Sequence, residues 1–94
     1  MSDRTAPSLA HIDALLAILK ARPASADLTR MIDDTEALRR AVAAFHMEAI
    51  RFRMHSVDRD ITALGNDAAT RHVFDELRRV LEAAGFHTRS HSAP

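Results

Sequence analysis

The chain has 94 residues, with thirteen basic and thirteen acidic side chains in balance, 47% hydrophobic residues, four aromatics that are all Phe, and no Cys. That length holds one domain with a modest core and no separate catalytic domain, and a net charge of zero removes the broad attraction that nucleic acid or an anionic membrane exploits. Without Cys there is no disulfide framework, thiolate zinc site or thiol nucleophile.

Residues 1–7 lack the basic and apolar regions of a signal peptide, and no apolar run approaches the ~20 residues of a membrane span. A cytoplasmic protein with a flexible segment over 1–7 is expected. A first helix is predicted over 8–22, capped by Ser8 and forced to exit at Pro23. Leu9, Ile12, Leu16 and Leu19 form its inward stripe, widened by Leu15 and Ile18. Within it, Ile12-Asp13, Leu15-Leu16, Leu19 and Arg22 resemble the opening helix of the small all-helical chorismate mutases, which are dimers that use arginines on their substrate. The resemblance covers about a dozen residues and stops at Pro23, where that family's long helix continues, so no membership is drawn from it.

After Pro23-Ala24-Ser25-Ala26, Asp27 can cap a helix carrying Leu28, Met31 and Ile32. Residues 24–64 contain no Gly and no Pro. One helix over that stretch would be roughly 60 Å long, too long for a domain whose radius of gyration should be near 13 Å, so it must break or be covered by another chain. Asp33-Asp34-Thr35-Glu36 offers a capping pair, and a kink or restart is expected there.

Leu38, Val42, Phe45, Ala49 and Phe52 form one heptad-spaced stripe, and Ile50, Met54, Val57, Ile61 and Leu64 form a second about 120° around the helix. A helix apolar on two faces must be covered twice. One face is assigned to the first and last helices, and the other, Leu38/Val42/Phe45/Ala49/Phe52, to a second copy of the chain. Gly65-Asn66-Asp67 marks a stop and restart, followed by a helix that turns Thr70, Val73, Leu77, Val80, Leu81 and Ala84 inward. Gly85 ends it, Phe86 folds back on Leu81, and 87–94 is expected to be a flexible tail. The predicted fold is all-α: one domain over 8–86, a bundle of three main helices with room for a short fourth, one long central helix, and a homodimer.

Six histidines invite a metal reading. His55 and Asp58 are three apart and His72 and Glu76 four apart, so each pair could present two ligands on one helix face, with Glu48 one heptad before His55. A divalent metal held by Glu48, His55, Asp58, His72 and Glu76 is the alternative to a cofactor-free protein. Helical projection opposes it, because His55 and His72 lie about 140° from their apolar stripes and point outward. His46 lies beside the second stripe, where an interface imidazole would answer to pH.

Arg39, Arg51 and Arg53 belong to a basic middle section that could hold an anion, although no glycine-rich phosphate loop accompanies them. A helix-turn-helix can be drawn over 61–81, but its second helix opens with Asp67 and carries more acid than base, unlike a DNA-reading helix. No nucleotide motif or nucleophile with a nearby base points to an enzyme. The expectation is therefore a small regulatory or accessory subunit that self-associates and interacts with protein. A small DNA-binding regulator and a small helical enzyme are the further alternatives, and nucleic acid and membrane are not expected partners.

Overall fold

The computed structural model describes residues 4–88. They form four α-helices, α1 (Ala6–Lys20), α2 (Ala26–Ala43), α3 (Met47–Ala63) and α4 (Ala68–Ala83), with no strand among the described residues. No helix among them is long and apolar enough to cross a membrane.

Helix α1 starts two residues before the expected Ser8 cap. Pro7 sits in its first turn, where a missing N–H costs nothing, and Ser8 is buried. Ile12, Leu15, Leu16 and Leu19 fill its inner face, as the spacing predicts. At the start of α2 the cap is Ser25 rather than Asp27. The Ser25 hydroxyl accepts from the Leu28 N–H at 3.1 Å, while Asp27 pairs with Arg30 at 3.2 Å.

The long central helix is not formed, and the break lies elsewhere than expected. Helix α2 runs unbroken through Asp33-Asp34-Thr35-Glu36, where the Thr35 hydroxyl donates to the Met31 carbonyl at 2.7 Å instead of capping anything. The chain turns at 44–46. The Phe45 N–H donates to the Val42 carbonyl at 3.1 Å and the His46 N–H to the Ala41 carbonyl at 3.0 Å, the paired bonds of a Schellman ending, with Phe45 left-handed at φ +57°. His46 then begins α3, its Nδ1 accepting from the Ala49 N–H at 3.2 Å. The two apolar stripes read along 38–64 are thereby divided. A single helix would have left one stripe uncovered, whereas folding back lets α2 and α3 bury Leu38 and Val42 in the same core as Ile50, Met54, Val57 and Ile61.

At α4 the stop and the cap fall where expected, but the inner face is rotated toward Phe74, which is fully buried, while Val73, Val80 and Ala84 are only half-buried. Gly65 is left-handed at φ +101°, and Asp67 accepts from the Thr70 N–H at 3.0 Å and from its hydroxyl at 2.8 Å. Thr70, Phe74, Leu77 and Leu81 are buried, and Phe86, just past Gly85, donates its N–H back to the Leu81 carbonyl at 2.9 Å.

Helix α1 lies between α2 and α4, and α3 packs on the far side of α2. Helices α3 and α4, although consecutive, touch only slightly. The result is a flattened bundle of 38 × 35 × 21 Å with a Cα radius of gyration of 12.7 Å. Ion pairs stitch its seams: Arg39 to Asp13 at 2.7 Å and Lys20 to Glu36 at 3.5 Å between α1 and α2, Arg22 to Asp67 at 3.0 Å at the α4 cap, and Arg71 to Asp58 at 2.5 Å between α4 and α3.

Candidate interaction surface at Phe45 and Phe52

Two large hydrophobic side chains stand exposed among the described residues, Phe45 at 53% and Phe52 at 59%. Their neighbours in the expected interface stripe have other fates. Leu38 and Val42 are fully buried in the chain's own core, and Ala49 is half-buried against it. Phe45 is lifted off the helix by the turn, its ring centroid 5.8 Å from that of Phe86 at an interplanar angle of 45°. Phe52 projects from α3 with the Arg53 guanidinium 5.1 Å from its ring centroid. Arg4 lies 6.0 Å from the ring centroid of Phe86, the buried neighbour of Phe45, and donates to the Ala84 carbonyl.

Behind this surface, between α2 and α3, lies a carboxyl pair that the sequence reading missed. Asp60 is only 4% exposed, and its Oδ2 finds no hydrogen-bond partner among the described residues. Its pKa is pushed up to about 7, first by burial, then by the hydrogen bond and negative charge of Asp34, against the opposing pull of Arg59 and Arg30. Asp34 in turn accepts from Arg53 at 3.2 Å. The arrangement sets a buried carboxyl group beside a second, arginine-paired one at the seam of α2 and α3. The signal was present: Asp60 falls between Val57 and Ile61, on the buried face of its own helix.

The arginines proposed for an anion do not converge. Arg39 is spent on Asp13, whose carboxyl it holds below the usual carboxylate range chiefly through their hydrogen bond, and Arg53 is spent on Asp34, while Arg51 is half-buried on α3. His46 is exposed and serves as the α3 cap.

Among the described residues no group of three or more His, Asp or Glu side chains is placed to hold a metal ion. Glu48, His55 and His72 are exposed, Asp58 accepts from Arg71, and Glu76 pairs with Arg79 one turn away. The close antiparallel pairing of α3 with α4 that would have levelled His55 with Glu76 is absent, because α4 packs on α1 instead. A charged groove of about 390 Å³ lies near this edge, lined by Asp58, Arg71, Asp75, Arg78, Arg79 and Glu82. Its charges are largely turned on one another and on Thr88, which accepts from Arg78 at 2.9 Å and donates to Glu82 at 3.2 Å.

No protein-family model, curated protein or solved structure matches this chain.

Proposed function

We propose that this protein is a small interaction module, a regulatory or accessory subunit that self-associates through the surface carrying Phe45 and Phe52. One observation supports the reading above the others: every other large apolar side chain among the described residues is buried or half-buried, while these two rings are more than half exposed, Phe52 with the Arg53 guanidinium over its ring. Burying a Phe side chain is worth about 1.5–3 kcal/mol, so a partner that covers both gains enough to compensate for immobilising them. Arginine beside aromatic groups is also the composition that interfaces favour.

The expected occupant is a second copy. Native mass spectrometry of the full chain should find a species of twice the 10.4 kDa chain mass, and Phe52→Glu should return it to the monomer. A dimer that survives Phe52→Glu unchanged removes this surface as the interface. A monomer at every concentration removes self-association.

A further inference from the structure

Three of the four helices end in the same pair of backbone bonds, and each ending needs a left-handed residue. Gly65 supplies it for α3 at φ +101° and Gly85 for α4 at φ +98°. At the end of α2 the position is held by Phe45 at φ +57°. A bulky aromatic there carries strain that glycine avoids, since its Cβ crowds the backbone carbonyl. The two stopping glycines have no counterpart here, because residues 24–64 include neither Gly nor Pro. Ala44, Phe45 and His46 are all compatible with helix, and the stripe Leu38, Val42, Phe45, Ala49 and Phe52 keeps heptad register straight through the turn.

We infer that the 44–46 turn is a hinge, and that two copies of this chain exchange halves by each joining α2 and α3 into one continuous helix. This deepens the self-association reading and rests on it for the existence of a dimer. Short connections under strain invite such an exchange.

The packing fits it. The two most extensive helix pairings, α2 with α3 and α1 with α4, both cross the hinge. The α1–α2 and α3–α4 contacts lie within the halves. When two chains open together, α1–α2 of one copy receives α3–α4 of the other, and both crossing pairings re-form from the same residues. A lone opened chain would instead display a helix over 26–63 about 57 Å long with its core face bare, so the occupant has to be another copy.

What differs between the forms is the hinge itself. Straightening relieves Phe45, exchanges the two turn bonds for ordinary helical ones, and makes the His46 cap unnecessary. It also brings Phe45 into line with Ala49 and Phe52 on one helix face, where the two copies meet near their two-fold axis.

The test uses the full chain, which has no cysteine of its own. Asp34→Cys with Arg53→Cys places one thiol on each side of the hinge, at side chains that pair at 3.2 Å. The dimer fraction is treated with a short bismaleimide, denatured and weighed. Exchange predicts links between chains. Links within chains in an intact dimer overturn the exchange and leave face-to-face association standing, whereas the absence of any dimer overturns both.

Phe45→Gly relieves the closed turn and weakens the continuous helix, so the dimer dissociation constant should rise by roughly tenfold or more per chain, and His46→Ala, which removes the cap, should lower it. Circular dichroism of the isolated monomers verifies that both variants fold. A dimer constant untouched by Phe45→Gly in folded protein overturns the hinge.

Discussion

Asp60 shows how one buried group can tilt a small protein's response to pH. With its pKa near 7 in the folded chain and near 3.9 when unfolded, it keeps a proton across that interval that the unfolded chain has already released. Stability should therefore fall as pH rises from about 4 and level off above about 7. Asp13 and Asp67 act with the opposite sign. Arg39 lowers the first, and the Thr70 N–H and hydroxyl, with help from Arg22, lower the second, so their contribution is lost only in stronger acid. Asp60→Asn keeps the shape and removes the charge. Urea unfolding of this variant should show a flattened profile between pH 5 and 8, and at pH 8 a gain on the order of 2–4 kcal/mol over the parent. Equal stability of variant and parent at pH 8 would show that Arg59 and Arg30 already offset the ionised Asp60.

At the scale of elements, the decisive event is where residues 24–64 fold back. The heptad stripe suggests one interface of five residues, but the turn at 44–46 sends Leu38 and Val42 into the core and leaves Phe52 outside. The two fates separate in one experiment. Leu38→Ala should cost the folded chain about 2–5 kcal/mol in denaturant unfolding, as truncations of fully buried leucines do, and should act on the monomer itself. If it weakened only the dimer, Leu38 would be an interface residue after all. The position of the break was hard to read, because the cues present at 33–36 were polar and capping-like while the actual turn uses Phe and His. Asp33 and Glu36 lie within an uninterrupted α2, where Glu36 reaches Lys20 and Thr35 bonds its own helix.

For the whole molecule, the pairing of α1 with α4 and of α2 with α3 ties the two halves of the chain together across its middle. Neither half contains the partner for its main apolar face. Unfolding should accordingly be a single transition, with far-ultraviolet circular dichroism and calorimetry giving coincident midpoints, and a separate early loss of α4 helicity would contradict this packing. Much of this was determined by the sequence alone. The all-helical class, the inner face of α1, the Thr70, Leu77 and Leu81 positions of α4, the stop at Gly65 with a cap at Asn66 or Asp67, and the return of Phe86 onto Leu81 follow from local periodicity and from backbone chemistry within a few residues. Only the tertiary structure decided the break at 44–46, the burial of Asp60 beside Asp34, the scattering of the arginines and histidines, and the exposure of Phe45 and Phe52. The physical reason is common to these: helical periodicity reports which residues share a face, but not which of two apolar faces another helix will cover. That choice belongs to the packing of α1 against α4 and of α2 against α3, between residues far apart in the chain.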